Sequence, residues 1–389
     1  MEERMKTIVL ITNIPTPYRV PLFNELDAAL RNRGRKLHVI FGASTYARRK
    51  FTLDPASFQF EHTFLDASVI QRGDDEKTTF LYKGLNKILD RISPEKIIVS
   101  GFSPATAKIY LRNVTRVLTF RRSTPFIIWN GSIEDSYRSE GLIKRLFRRS
   151  IARRASAAVA YGSRAKDYLV KLGVPTDRVF IGINTVDTSF FSRATEKARQ
   201  AQAMNTAVDS SSVQHLLSIG YLSPRKNTQQ LIEVMKLIYA RNKNVVLDVV
   251  GDGSDREALE KLAQSYGLSG VIRFHGYLQK EALPELMAKA SLFLFQTDFD
   301  IWGLVLNEAM SAGLPVICSP NAGAATDLIR EGETGYVMDF NQPEKVAERV
   351  LLLLSDAEEC QRVGTAASGY ISRFATIQNS VSGFLSALA

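Results

Sequence analysis

Along the chain, short runs of Val, Ile, Leu and Ala alternate with segments whose apolar residues recur every three or four positions. KTIVLITNI, KLHVIFG, KIIVSG, FIIWNG, AAVAYG and RVFIGI each read as a short buried strand, and five of the six close on glycine or asparagine, as a strand-to-loop exit does. Helical patterns lie between them, for example PLFNELDAALRNRG, which ends at Gly34. This alternation predicts an α/β fold with parallel, doubly wound sheets. Residues 192–212 (SRATEKARQAQAMNTAVDSSS) are polar and poor in apolar anchors, and read as a linker or surface excursion. The alternation then restarts with HLLSIG, VVLDVVGDG, VIRFHG, LFLFQ and LPVICS as strands. The pattern divides the chain into a first domain over 1–190, a second over 191–365, and a helical tail over 366–389 that could cross back to the first. In such a layout the cleft between the domains is the expected ligand site.

Composition narrows the class. The chain has 389 residues, 45% hydrophobic and 23% charged, which excludes disordered, collagenous and coiled-coil proteins. Two cysteines, Cys318 and Cys360, exclude a disulfide framework and a cysteine-rich zinc site. The four histidines lack metal-ligand spacing. No apolar run reaches the length of a membrane span, and the N-terminus lacks the features of a signal peptide, so the chain reads as cytoplasmic.

Charge is divided unevenly. Residues 1–190 hold 32 Lys+Arg against 18 Asp+Glu, a net of +14, which leaves −4 of the overall +10 for the remainder. Arg112, Arg116, Arg121 and Arg122 form one cluster, and Lys144, Arg145, Arg148, Arg149, Arg153 and Arg154 a second, within GLIKRLFRRSIARRAS. There Leu142, Ile143, Leu146, Phe147 and Ile151 fall near helical spacing. A basic amphipathic helix suits an anionic membrane surface; the alternative is a solvated helix with Leu146 and Ile151 turned to its own core. No recognised nucleic-acid motif accompanies the charge, and nucleic acid is not expected as a partner.

The richest stretch is SLFLFQTDFDIWGLVLNEAMSAGLPVICSPNAGAATDLIREGETGYVMD. A strand ends near Gln296, a loop carries Asp298, Asp300 and Gly303, and a helix holds Glu308. Gly303 lets backbone approach a ligand where helix N–H groups suit a diphosphate. Glu308 can accept hydrogen bonds from a ribose diol, and Asp300 can reach a sugar hydroxyl. Taken singly, Glu308 also reads as a helix-dipole partner and Asp300 as an N-cap. Upstream, Arg225 and Lys226 stand where a helix begins, against its dipole, and form a candidate phosphate site. Gly251 and Gly253 make a tight turn after another strand.

The order Gly220…Lys226, GDG, FHGYL, Asp300-x7-Glu308 with EAMSAGLPV, then Gly323 and GETGYV resembles the C-terminal half of retaining glycosyltransferases of family 4, group 1 enzymes of the GT-B fold. AAVAYGSRAKDYLVKLGVPTDRVFIGINTVDTSFF resembles the family's segment crossing between domains. The resemblance covers roughly residues 155–340; the first 150 match only as a general α/β domain. It implies two Rossmann-like domains facing a cleft, with a nucleotide-sugar donor on the second and the acceptor on the first. On that resemblance Lys226 contacts the donor diphosphate, Glu308 the ribose and Asp300 the transferred sugar. Asp300 stands where the family has glutamate, one methylene longer. Tyr221 stands where the family usually has an arginine, which Arg225 could replace. Leu304 and Val305, after Gly303, offer backbone to the diphosphate, with Gly251 and Gly253 also on the donor side; Asp327 replaces a frequent glutamate. The family's glycine-rich N-terminal loop is absent, and NIPTPYR, Asn13 to Arg19, stands in its place on the acceptor side. Asn130, Glu134 and Asp135, at a strand exit where the family often has a histidine, are further acceptor-side candidates.

The implied reaction is transfer of a sugar with retention at the anomeric carbon, without a cofactor. Asp298-Phe299-Asp300 also reads as the Asp-x-Asp metal motif of the other major glycosyltransferase fold; two alternating halves argue against that fold, and no metal is expected. The cationic first domain suits a lipid-linked glycan acceptor in cell-surface polysaccharide assembly, with peripheral contact to the inner membrane face. The alternatives are a nucleotide-sugar epimerase of GT-B fold, a phosphorylase, for which no pyridoxal-lysine motif is present, and a non-catalytic sugar-binding or scaffold protein.

Overall fold

The computed structural model describes residues 5–45, 54–65, 67–71, 78–137, 141–205 and 213–389. The chain forms two compact units: Met1–Asn184 with Ile377–Ala389, and Thr185–Thr376. The first boundary falls a few residues before position 190. The expected tail begins inside a helix of the second unit, and only its last helix belongs to the first.

The strands of the first unit are β1 (Lys6–Thr12), β2 (Arg35–Phe41), β3 (Glu61–Phe64), the antiparallel pair β4 (Ser68–Gln71) and β5 (Thr78–Leu81), β6 (Lys96–Ser100), β7 (Phe126–Asn130), β8 (Ala157–Ala160) and β9 (Val179–Ile181). Seven of them form a parallel sheet ordered β3-β2-β1-β6-β7-β8-β9. Its helices are α1 (Val20–Arg31), α2 (Leu85–Ile92), α3 (Pro104–Leu118), α4 (Leu142–Arg154) and α5 (Ser163–Leu172). The strand order reverses between β1 and β6, so the loops after these strands open a crevice at the carboxyl edge. Phe23, Leu26 and Leu30 of α1 pack on Leu10 and Trp129 of the sheet together with the chain's last helix. The six apolar runs become β1, β2 and β6 to β9; β3 and the β4–β5 pair were not expected, being short and mostly polar.

Helix α4 forms where its spacing predicts, beside α3: the Tyr110 ring lies edge-on to Phe147 at 5.7 Å, and its hydroxyl is 2.8 Å from that of Ser150. Ile151 and Ala152 turn to the core. Leu146 does not: it is 54% exposed, with Leu142 at 69% and Ile143 at 84%. Phe147 is also exposed, as are Leu111, Val117, Leu118 and Phe120 on and after α3.

The second unit carries α6 (Thr188–Asn205), β10 (Gln214–Ile219), α7 (Thr228–Arg241), β11 (Val245–Val250), α8 (Arg256–Ser265), β12 (Ile272–Gly276), α9 (Leu283–Lys289), β13 (Ala290–Phe295), α10 (Leu304–Ser311), β14 (Val316–Cys318), α11 (Ala325–Leu328), β15 (Tyr336–Val337), α12 (Pro343–Ser355) and α13 (Ala357–Phe374). The final helix, α14 (Ile377–Leu388), is the one that returns to the first unit. The parallel sheet runs β12-β11-β10-β13-β14-β15, reversing between β10 and β13.

The expected linker is largely helix. Residues 192–205 belong to α6, which buries Phe191 and Thr195 and donates from Arg199 to the Ala312 carbonyl at 2.7 Å. Beyond Phe191 its contact stripe uses threonine and alanine rather than large apolar residues, so the period over 192–205 was invisible to a hydrophobicity reading. Residues 206–212 of that stretch lie outside the described residues.

Candidate functional site

The carboxyl ends of β10 and β13 lie side by side at the strand-order reversal of the second unit, and the predicted donor residues gather there. After β10 the chain passes Tyr221 into a short 3-10 turn, Pro224–Lys226. Arg225 and Lys226 therefore stand just ahead of α7 rather than in its first turn, separated from it by Asn227 in the left-handed region (φ 46°). The loop after β13 is tied to this turn. Asp298 N–H and the Thr297 hydroxyl both donate to the Arg225 carbonyl, at 3.0 and 3.2 Å, and Asn227 donates to Asp298 Oδ1 at 2.9 Å.

Lys226 reaches across and pairs with Asp300 through its ammonium, which also sits 4.8 Å from the centre of the Phe295 ring. Arg225 donates to the Phe299 carbonyl at 2.5 Å. Burial alone raises the pKa of Asp300, but the Lys226 ammonium, the Arg225 guanidinium and the Trp302 N–H outweigh it and hold the carboxyl below its usual value. The predicted sugar-contacting acid and diphosphate-contacting lysine are thus partners of each other. The two carboxylates of the Asp-x-Asp stretch bond to separate donors, Asn227 and Lys226.

Gly303 starts α10 with φ +95°, and a Cβ there would lie 2.7 Å from the Phe295 ring, so both conformation and space require glycine. No side chain caps this helix. The N–H groups of Leu304 and Val305 fall in its first turn, where a helix offers no internal acceptor. Glu308 follows one turn on. Burial pushes its pKa up to about 8, opposed only by the charge of Lys280, and its carboxyl makes no hydrogen bond among the described residues. Gly251 and Gly253 press on the chain leaving β10: Cβ atoms would lie 1.8 Å from the Gly220 carbonyl oxygen and 2.0 Å from that of Leu222. Both therefore shape the floor beside Tyr221 and Lys226. Asp327 lies in α11, and its carbonyl accepts from the Tyr370 hydroxyl at 2.9 Å.

The acceptor-side candidates divide into two groups. Asn13, Arg19 and Asn130 stand at the carboxyl edge of the first unit's sheet, on or just after β1 and β7. Asn13 accepts from the Tyr82 hydroxyl at 2.7 Å. Asn130 is fully buried and donates to the Ser132 carbonyl at 2.8 Å. Arg19 stacks on Trp129 and Tyr161, its guanidinium carbon 4.3 and 4.9 Å from their ring centres. Glu134 and Asp135 are instead engaged by α5: Glu134 pairs with Lys171, and Asp135 with Arg164 at 3.2 Å. Sequence reasoning missed Phe295 beneath Lys226, Lys280 near Glu308, and the aromatic walls of Arg19. Phe295 ends an apolar strand, which was the available signal; Lys280 sits in an ordinary polar stretch and gave none.

Among the described residues, no group of three or more His, Cys, Asp and Glu side chains is placed to hold a metal ion. No helix is long and apolar enough to cross a membrane.

Residues 210–369 match the family described as glycosyl transferases group 1. A GDP-mannose-dependent alpha-(1-6)-phosphatidylinositol monomannoside mannosyltransferase of Mycobacterium tuberculosis is 29% identical over 180 residues, 44% of this chain and 46% of that one. An O-antigen chain mannosyltransferase B of Escherichia coli is 30% identical over 154 residues, 39% of each. The chain thus aligns with less than half the length of these relatives. Among solved structures, Anabaena Alr3699/HepE in complex with UDP superposes with a TM-score of 0.73 at 17% identity over 99% of both chains. WaaG, a glycosyltransferase involved in lipopolysaccharide biosynthesis, gives 0.67 at 16%, over 96% of this chain and 98% of that one. The chain has the GT-B fold of two Rossmann-like units, and through residues 210–369 it resembles the group 1 glycosyl transferases.

Proposed function

We propose that the protein is a retaining glycosyltransferase that moves a sugar from a nucleoside-diphosphate sugar to a lipid-linked glycan in cell-surface polysaccharide biosynthesis. The observation that carries this reading is that Arg225, Lys226 and the Gly303 turn stand together at one sheet edge, with Glu308 one turn into the helix that Gly303 starts, within the segment that resembles the family. The hard step is departure of the diphosphate as positive charge builds on the sugar ring. Lys226, Arg225 and the N–H groups of Leu304 and Val305 are the donors that would hold the developing negative charge. Glu308 would accept from the ribose hydroxyls. An ionised carboxylate accepts from both, so donor binding at neutral pH is accompanied by proton release from Glu308.

The names of the relatives support the donor and acceptor classes: one uses GDP-mannose on a phosphatidylinositol glycolipid, another builds O-antigen. Surface chemistry supports a membrane-borne acceptor. Among the described residues, eight of the seventeen exposed large apolar side chains lie on α3, on α4 or at Phe120. Residues 104–122 and 142–154 together carry eleven Lys and Arg and no Asp or Glu; Arg148 is buried, Arg112 and Arg116 pair with Asp90, and the other eight supply the cationic surface. Apolar residues set among cations suit the headgroup region of an anionic bilayer, here the cytoplasmic face of a membrane.

The test is incubation of the chain with nucleotide sugars and a membrane glycolipid extract, with product configuration read by NMR. An axial-to-axial or equatorial-to-equatorial outcome supports retention, and inversion contradicts it. Turnover that persists in a chelator supports a reaction without metal; loss restored by magnesium contradicts that part. Donor conversion to an epimer without acceptor would favour the epimerase instead.

A further inference from the structure

We propose that Arg19, Trp129 and Thr16 form a phosphate-binding subsite on the first unit. Arg19 is only 9% exposed, and among the described residues no carboxylate pairs with it. A buried cation without an anion is costly, because the hydration it loses is not replaced. The aromatic faces of Trp129 and Tyr161 compensate part of that loss and fix the plane of the guanidinium, and the Tyr161 hydroxyl accepts from it, but one neutral oxygen serves only part of a group with five N–H donors and supplies no charge.

Two more buried polar atoms sit beside it without partners: Trp129 Nε1 and Thr16 Oγ1. Indole nitrogen can only donate, and a threonine hydroxyl can donate. Thr16 and Arg19 are the two ends of one turn, closed by the Arg19 N–H on the Thr16 carbonyl at 2.9 Å, and Trp129 is the ring under the guanidinium. Helix α1 begins at the next residue with no side-chain cap and no acid in its first turn. Two buried donors without an acceptor, next to a buried cation that no carboxylate pairs, suit an oxyanion. Asn130 Oδ1, also buried and unpartnered, accepts rather than donates, and suits a hydroxyl next to that anion.

The place agrees with the chemistry, since β1 flanks the strand-order reversal where open α/β sheets take ligands. A phosphoryl group is the oxyanion that nucleotide sugars and lipid-linked glycans both supply. The choice of these two sources rests on the glycosyl-transfer reading; the demand for an oxyanion does not.

Calorimetry on the full chain tests it, with inorganic pyrophosphate, UDP, GDP and farnesyl diphosphate as probes. Lys226→Ala first weakens the second unit's candidate phosphate site, in which Arg225 remains, so residual binding there is judged by its response to Arg19→Gln. In that background pyrophosphate or farnesyl diphosphate still binds, and adding Arg19→Gln weakens it by about tenfold or more. With Lys226 intact, Arg19→Gln weakening the nucleotides points to the donor as source; weakening farnesyl diphosphate alone points to the acceptor. Trp129→Phe keeps the stack and removes one donor, and weakens the same probe by about threefold to tenfold, which covers the case in which Arg19→Gln fails to fold. Unchanged affinity in folded Arg19→Gln and Trp129→Phe overturns the subsite, as does absence of any probe binding in Lys226→Ala up to about 10 mM. Phosphate binding is read without turnover. Loss on Arg19→Gln in a protein with no transfer activity would therefore sink the enzyme reading and leave the subsite standing.

Discussion

Glu308 occupies an environment unlike that of a surface carboxylate, and its protonation ties stability to pH. Between pH about 4.5 and about 8 the unfolded chain has released this proton while the folded chain retains it. Stability therefore falls as pH rises through that window and levels off above it. Glu308→Gln removes the slope: at pH 5 it matches the parent closely, and at pH 9 it is more stable by on the order of 2 kcal/mol, read by urea melts at both values. Asp300 behaves in the opposite sense, since its carboxyl is held below the usual range by Lys226 and Arg225. Its stabilisation is present above the ordinary carboxylate pKa and is lost as pH falls through its folded value. Asp300→Asn leaves the poorly exposed Lys226 ammonium unpaired and costs about 3 kcal/mol in the same melts near neutral pH. Asp300→Glu keeps the charge and supplies the acid of the resembled family, so it retains nucleotide binding.

At the scale of elements, the two sheet edges depend on where the chain can turn. Gly303→Ala meets both an unfavourable φ and the Phe295 ring, and should destabilise the protein by about 1–3 kcal/mol. It also displaces the start of α10, so nucleotide affinity falls further than stability alone explains; calorimetry below the melting range separates the two. The elements themselves were largely legible from the chain. Eleven apolar runs became strands because buried parallel strands need continuous Val and Ile, which is a strong local signal. Helix α6 was not legible because it packs through Ala194, Thr195 and Ala198, and small residues make a weak periodic signal. The pairing of Lys226 with Asp300 was equally hidden: the two are 74 residues apart and meet only because β10 and β13 are neighbours. Glu134 and Asp135 looked available in the sequence for the converse reason, since their partners Lys171 and Arg164 arrive on a later helix.

Across the whole molecule, positive charge and exposed apolar side chains are concentrated in the first unit, and the candidate donor-site residues lie in the second. If the basic face of α3 and α4 holds the protein on an anionic bilayer, binding to phosphatidylglycerol vesicles falls with salt, and neutral vesicles bind far less. Ile143→Asp with Leu146→Asp changes two exposed positions, leaves folding intact, and weakens vesicle binding by about tenfold or more in co-sedimentation. Equal binding of parent and variant would rule out membrane contact through this face and would leave the donor site untouched. A metal-free titration of the full chain with UDP, GDP, ADP and CDP, repeated with Glu308→Ala, asks directly whether the second unit holds a nucleotide donor. One nucleoside diphosphate is expected to bind clearly, with proton release at neutral pH that disappears in Glu308→Ala, and the variant binds it about tenfold or more weakly. No nucleotide binding, or equal affinity in a folded Glu308→Ala protein, would contradict a donor site there.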